Sequence, residues 1–454
     1  MLIRKRILPL LLALVLVVLM AAPAFAADSP APVIFLSGFG TELYLNDGTP
    51  EEQGVLLGAL TAENIFGALG AVVLGAFRDP LALLCSPNWA ADLLSSFAVQ
   101  LLGNLACDAD GNSAYPVSNT SRTGRSGTYE GRPFYQFHYD WRLDPMETAR
   151  SLNDFIQEVK EETGSAKVAV DAISFGGIVS SAYLEQFGTG DLESLFLCVS
   201  AHGGMTFVED LIQGEFAVSG AGLAAFLGGI IPDDTGILAP TLGGLNTLGV
   251  FRLLERLLNA GLGSIEDRFY EQAVIPLLVQ MPAVWAFVTD DAIFERSKSL
   301  LLSDTEKYAG LIAKINDYHY SVGNHANRIL ADAAQEIKLA LVCGYDSAPV
   351  PLGGTFLYQS DFLIDTARES GGAVCAPYGK TLPAGYVQAK QDGHNHISAD
   401  RVIDASTCVL PEQTWFVKGY QHQAESGGAG LYAWFLRYDG QPTVWSDAGH
   451  PQFM

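Results

Sequence analysis

Short, unbroken apolar runs alternate with longer mixed segments along this chain, and their spacing predicts strands joined by helices. Pro32 to Leu36 is a brief apolar run that stops at Ser37-Gly38-Phe39-Gly40, the pattern of a strand entering a glycine-rich turn. Phe134 to Tyr139 reads as another strand, and Met146 to Glu162 carries helical periodicity. Lys167 to Ile173 reads as a buried strand, Gly176 to Phe187 as a helix with small residues on its inner side, and Leu195 to Val199 as the next strand. Strand, helix and strand in that order is the signature of a parallel sheet with crossover helices.

The pattern changes after Gly203. From there to Arg328 the sequence is rich in Leu, Gly and Ala at helical spacing, with no strand alternation. Strand pattern resumes at Ile337 to Cys343 and at Trp415 to Lys418. The expected fold is therefore α/β, with a mostly parallel sheet built from residues 27–202 and 331–454. An irregular excursion over about 47–132 lies in its first half, and a helical cap over 203–330 separates the halves. Within that cap, Leu223-Ala224-Ala225-Phe226-Leu227, Leu253-Leu254 and Leu257-Leu258 are apolar at helical spacing. They are expected either to fill the core of the cap or to line a cleft for an acyl chain.

The start of the chain changes this picture. Arg4, Lys5 and Arg6 precede an apolar run from Ile7 to about Met20, and Ala24-Phe25-Ala26 supplies small residues where a signal peptidase reads. Residues 1–26 are thus expected to be a cleaved signal peptide and the protein to be secreted. Hydrophobic residues make up 49% of the chain, enough for a sizeable core. The formal charge of −24 argues against nucleic acid or an anionic membrane as partner. It leaves open transient contact with a neutral or zwitterionic lipid surface. An exported chain with six cysteines can form disulfides, with Cys85–Cys107 and Cys375–Cys408 the expected pairs and Cys198 a buried thiol.

Candidate chemistry centres on Val168-Ala169-Val170-Asp171-Ala172-Ile173-Ser174-Phe175-Gly176-Gly177. A buried strand runs into Ser174 and a helix leaves from it, the arrangement of a nucleophile elbow. Small residues are needed two before and two after the serine, where strand and helix backbones approach, and Ala172 and Gly176 meet that need. The helix start offers the backbone amide of Phe175 to a developing oxyanion, and the Ser37–Gly40 turn offers that of Phe39, with Gly40 close behind. The base should be a histidine later in the chain. His422 follows the strand Trp415 to Lys418, whereas His450 lies near residue 454 and His325 in the expected cap. An acid to orient it could be Asp392, Asp400, Asp404 or Asp346; Asp392 is followed by Gly393 just past the short run Tyr386-Val387. Asp392, His394 and His396 alternate as metal ligands on a strand would, but their polar setting suits an exposed loop better, so no metal is expected.

In four stretches the sequence resembles the lecithin:cholesterol acyltransferase and lysosomal phospholipase A2-like lipases. Pro32 to Leu43 is similar to that family's first strand and oxyanion turn, Tyr139-Asp140-Trp141-Arg142 to its Tyr-Asp-Trp-Arg signature, and the Ser174 elbow is the third stretch. Met281-Pro282-Ala283-Val284-Trp285 is similar to its Pro-Ser-x-x-Trp segment, which makes Trp285 a candidate substrate contact. The resemblance implies an α/β-hydrolase acting on acyl esters of lipids without a cofactor, passing the acyl group to water or to an acceptor alcohol. It also implies Asp392 as acid, through Gln391-Asp392-Gly393, with Asp400 and Asp404 next. Four departures stand out: Ala172 for the elbow's first glycine, Ser37-Gly38 for a prolyl-glycine turn, Gln391 for the glycine before the acid, and His394-Asn395 where Thr-Val is usual. A general secreted carboxylesterase, or a catalytically silent binding protein on the same scaffold, are the other readings.

Overall fold

The computed structural model describes residues 30–39, 43–45, 55–57, 105–114, 117–118, 123–215, 217–230, 238–263, 270–354, 357–422 and 428–454. The expected signal peptide, Gly40, Cys85 and most of the 47–132 excursion lie outside them. The strands are β1 (Val33–Leu36), β2 (Leu43–Leu45), β3 (Val55–Leu57), β4 (Val117–Ser118), β5 (Gly124–Tyr129) and β6 (Arg132–Phe137). They continue with β7 (Val168–Ile173), β8 (Leu192–Cys198), β9 (Lys338–Tyr345), β10 (Val374–Cys375), β11 (Ile403–Asp404) and β12 (Thr414–Lys418).

A 7-stranded sheet in the order β12-β9-β8-β7-β1-β6-β5 forms the centre. Only the edge strand β5 runs antiparallel to its neighbour; the other pairs are parallel. β6 and β7 flank β1 on either side, so the chain changes direction across the sheet there, the place where open α/β sheets gather ligands beyond their carboxyl ends.

Two helices supply the crossovers on either side of β7: α1 (Pro145–Thr163) and α2 (Phe175–Phe187). α1 starts where Asp144 accepts from the Met146 amide at 2.9 Å with Pro145 behind it, and stops at Gly164 in the left-handed conformation. Its Ala149, Leu152, Ile156 and Val159 recur at helical spacing and are buried. α2 is buried from Phe175 to Leu184, because it lies between the sheet and its neighbours.

Side chains alternate between the two faces of the sheet. Ile34, Leu36, Val168, Val170, Leu195 and Leu197 join the cluster containing α1 and α2. Val33, Ala169, Phe196 and Val342 join Leu431, Tyr432 and Phe435 of the helix Leu431–Arg437 on the opposite face.

Between β8 and β9 the described elements are helices joined by turns, and Val218 makes an isolated bridge to Leu352 beyond β9. The segment is not uniform. Leu223, Phe251 and Leu254 form a small cluster of their own, whereas Phe294, Leu311, Ile315, Tyr318, Ile329 and Leu330 belong to the main core. Met205, Val208 and Ile212, and the residues from about Val274 onward, thus pack as part of the sheet's own helical layer, and the separate cluster is confined to the stretch between them. Among the described residues no helix is long and apolar enough to cross a membrane.

The expected Cys375–Cys408 bridge is absent, and both residues are free thiols. Cys375 stands opposite Ile403 in the β10–β11 ribbon, and a 3-10 turn over Ala405–Thr407 separates that register from Cys408. Cys107 is a free buried thiol, and Cys198 is buried as expected.

Candidate active site

β7 ends at Ile173, and the chain reverses at Ser174, with φ 55° and ψ −119°, before α2 begins. A non-glycine residue in that region is strained and persists only where its surroundings impose it. Here the Ser174 amide donates to the Cys198 carbonyl at 3.1 Å, and the Ser174 carbonyl accepts from Ala201 and Gly177, each at 3.0 Å. Close backbone approach explains the small neighbours. A Cβ on Gly176 would lie 2.9 Å from the Leu36 carbonyl oxygen, and one on Gly38 would lie 2.7 Å from the Ser174 Cβ. Ala172, wholly buried, fits where the resemblance would put glycine.

The Phe175 amide is the first of α2, and the first amides of a helix have no intrahelical acceptor and carry its positive end. The turn that holds Phe39 lies beside it, with the two phenyl rings 6.0 Å apart. Tyr139 and Trp141 brace that turn: the Tyr139 hydroxyl donates to the Ser37 carbonyl at 2.5 Å, and the Trp141 ring packs 4.0 Å from Phe39. Arg142 is buried and grips both oxygens of Asp140, at 2.8 and 2.6 Å, while donating to the Leu105 carbonyl at 3.0 Å. The Tyr-Asp-Trp-Arg run is in physical terms the support of the turn beside Ser174.

β12 and the left-handed Gly419 deliver His422 to the same place. Its Nε2 stands 2.9 Å from the Ser174 Oγ, and its Nδ1 stands 2.6 Å from Oδ2 of Asp361. The His422 amide also donates to the Asp361 carbonyl at 2.9 Å, so backbone and side chain fix the pair together. Asp361 lies in the loop after β9, wholly buried, with Oδ1 accepting from the amides of Leu363 at 2.9 Å and Ile364 at 2.7 Å. Burial works to raise its carboxyl, but the charge and hydrogen bond of His422, a hydrogen bond from Glu369 and the Ile364 amide hold it below the usual aspartate value. An imidazole held between a buried carboxylate and a serine hydroxyl is arranged to take that hydroxyl's proton.

Asp392, the acid expected from the sequence, is replaced in this position by Asp361. Asp392 sits on an exposed loop, where it accepts from His396 Nε2 at 3.0 Å, Lys390 Nζ at 3.1 Å and the His394 amide at 3.0 Å. That amide, with the His396 and Lys390 hydrogen bonds, holds its carboxyl far below the ordinary value. Asp400 pairs with Lys418 at 2.8 Å, Asp404 caps the Ser406 amide at 2.9 Å, and Asp346 faces Lys418 at 3.5 Å. The cause is the β10–β11 ribbon, whose packing on Cys343, Tyr345 and Phe416 forms a separate small cluster and carries the Asp392 loop outward. The signal that could have found Asp361 is its setting in Ser360-Asp361-Phe362-Leu363-Ile364. A carboxylate inside an apolar run will be buried, and a buried carboxylate needs a partner.

The other candidates lie elsewhere. His450 bonds Asp447 at 2.7 Å and stacks on Trp434, and His325 closes a short 3-10 turn. His394 stacks on Trp445 at 4.4 Å while His396 faces Asp392. Trp285 is not placed to touch a substrate: it is 1% exposed, its Nε1 donates to the Val279 carbonyl at 2.7 Å, and its ring meets Phe294 edge-on. Two residues beyond that segment, the Phe287 ring lies 5.7 Å from Phe39 and 5.5 Å from Phe175.

The fold is an α/β-hydrolase. The order of the parallel strands, the strained turn after β7 and the acid and histidine after β9 and β12 together define it. Comparison with protein-family models and with curated sequences finds no match. Among solved structures, the Tle4–Tli4 complex is similar over 70% of this chain and 75% of its own, at 11% identity and a TM-score of 0.30. N-acyl homoserine lactonase AidH, complexed with N-butanoyl homoserine, is similar over 76% of each chain, at 12% identity and a TM-score of 0.22. Likenesses this remote carry no weight for the chemistry.

Proposed function

We propose that this protein is a secreted serine hydrolase or acyltransferase acting on acyl esters of lipids. The observation that carries the reading is the unbroken line Asp361–His422–Ser174, with contacts of 2.6 and 2.9 Å, ending at a serine held in the elbow conformation. In the proposed cycle His422 Nε2 takes the proton of Ser174 as its Oγ attacks the ester carbonyl. The Phe39 and Phe175 amides stabilise the oxyanion, and Asp361 fixes the imidazole tautomer and supports the imidazolium. His422 then protonates the leaving alcohol, and water or an acceptor alcohol, deprotonated by His422 in turn, releases the acyl group from Ser174.

The lipid part of the reading rests on the lecithin:cholesterol acyltransferase-like stretches and on apolar exposure in the segment after β8. Leu248 and Leu253 there are 80% and 58% exposed, an arrangement suited to adsorption on a neutral lipid surface. Because the chain is strongly acidic, adsorption would depend on apolar burial and little on salt.

The test is fluorophosphonate labelling and ester turnover of the protein and its Ser174→Ala variant. The variant should lose labelling and on the order of 10⁴–10⁶ in turnover; retention of either would remove Ser174 from its role. With active protein, turnover of a long-chain ester should rise above the critical micelle concentration and change little between low and moderate salt. A hyperbolic response to short soluble esters, with no preference for longer chains, would reduce the reading to a general esterase.

A further inference from the structure

A second carboxyl group, unused in the cycle above, lies against Asp361. Glu369 ends the short helix Thr366–Glu369 and is 1% exposed, beside Asp361 at 0%. Its Oε2 accepts from the Gly344 amide at 2.7 Å, whereas its Oε1 is buried and receives no donor. One side-chain atom from each of Asp361, Glu369 and His422 lies within 4.8 Å of the others. Two ionised carboxylates packed so closely away from water would repel strongly, and a single imidazole cannot neutralise both.

The hydrogen bonds decide which group holds the proton. Both oxygens of Asp361 are supplied with donors: Oδ1 by the Leu363 and Ile364 amides, and Oδ2 by His422. Glu369 has a donor on one oxygen only, and an oxygen that carries hydrogen needs none. We propose that Glu369 is a neutral carboxylic acid whose O–H donates to the Asp361 carboxylate, making it a positioning residue for the His422–Asp361 pair. The proposal rests on the triad reading given above.

The surroundings agree. Burial, the Asp361 charge and the hydrogen bond to Asp361 push Glu369 well above the usual glutamate range. The other titratable groups facing it are the Cys198 thiol of β8 and the Cys343 thiol of β9, and burial raises both. The contact is tied to the scaffold as well. A Cβ on Gly344 would lie 2.6 Å from the Asp361 Cβ and 2.3 Å from the Tyr420 carbonyl oxygen. The end of β9 therefore lies directly under both loops, and Glu369 fastens it to the acid. A donor to Asp361 withdraws part of the negative charge that faces His422, so Glu369 tempers the support that Asp361 gives the imidazolium.

Two variants test this. Glu369→Leu removes the donor, whereas Glu369→Gln keeps a neutral donor at every pH and an oxygen for the Gly344 amide. In Glu369→Leu the acidic limb of the kcat/KM profile should move up by about half a unit or more, and kcat should fall roughly tenfold with KM little changed. The far-downfield proton resonance of His422 Nδ1–H should move with it. Glu369→Gln should return limb and resonance to their wild-type positions. A folded Glu369→Leu variant with unchanged limb and resonance would overturn the proposal. So would a Gln variant as impaired as the Leu variant, because an ionised carboxylate would then be what matters. If the Leu variant does not fold, the Gln variant decides: wild-type values support the proposal and displaced values overturn it. The resonance needs no turnover, so it reports on Glu369 even if Ser174→Ala were to remove Ser174 from its role.

Discussion

At the scale of single residues, Asp361 does three jobs with one carboxyl group. It closes its own turn through the Leu363 and Ile364 amides, receives His422 Nδ1, and lies against the Glu369 carboxyl, within 4.8 Å. Asp361→Asn would present an amide to Nδ1 and favour the wrong tautomer of His422 toward Ser174, which should cost about 10⁴-fold in kcat. Asp392→Asn, which alters contacts to Lys390, the His394 amide and the buried His396, none of which touches Ser174 or His422, should stay within about twofold in kcat. Steady-state kcat for both, with thermal unfolding as a check on folding, separates the two residues. Ser174 and His422 were legible in the sequence because each adjoins a strand whose apolar pattern fixes its place. Asp361 was not, because it lies in an irregular loop between β9 and β10 where nothing periodic marks its position, and the Gln391-Asp392-Gly393 turn offered a better local match.

At the scale of elements, the turn after β1 and the turn after β7 work as a pair. A methyl group on Gly38 would stand 2.7 Å from the Ser174 Cβ, so one of the two turns would have to move. Gly38→Ala should therefore lower kcat on the order of 10²-fold, as loss of an oxyanion donor does, with the sheet intact by circular dichroism. Tyr139→Phe, which frees the Ser37 carbonyl but adds no clash, should cost less, about tenfold. The strands β1, β6, β7, β8, β9 and β12 could be read to within a few residues, since each is a compact apolar run. β5 could not. Gly124-Arg125-Ser126-Gly127-Thr128-Tyr129 has no apolar face, and beyond its ladder to β6 it is anchored chiefly by Tyr129, stacked on Tyr432, so it reads as a polar loop. The helices from about 291 to 333 look in sequence like more of the expected cap, and only packing shows that Phe294, Leu311 and Leu330 complete the central core.

For the whole molecule, stability carries the mark of a carboxyl group in the middle of the sheet. Asp171 of β7 is 2% exposed, and its Oδ1 has no hydrogen-bond partner. Burial pushes its carboxyl up to about 8. The folded state thus keeps a proton that the unfolded chain releases near the ordinary aspartate value. The Asp171 contribution is present in full at acid pH and is lost as pH rises toward about 8, at about 1.4 kcal/mol per unit. Asp171→Asn, which cannot ionise, should remove that slope and raise the melting temperature at pH 7. Denaturation series between pH 5 and pH 8 on both proteins would show it; parallel curves would mean that Asp171 is hydrated or paired in solution.

The three groups joined at Ser174 come from distant parts of the chain: His422 lies 61 residues from Asp361 and 248 from Ser174. This separation has a consequence in time. Contacts between remote segments are slow to form, because long loops must close before anything rewards the closure. During synthesis the elbow emerges long before the strand that bears the histidine. A nascent chain lacking β12 can carry the serine but cannot activate it. Recovery of activity after denaturation would accordingly follow the docking of β12 against β9, the last parallel neighbour to arrive, and would lag behind the return of helical signal from α1 and α2.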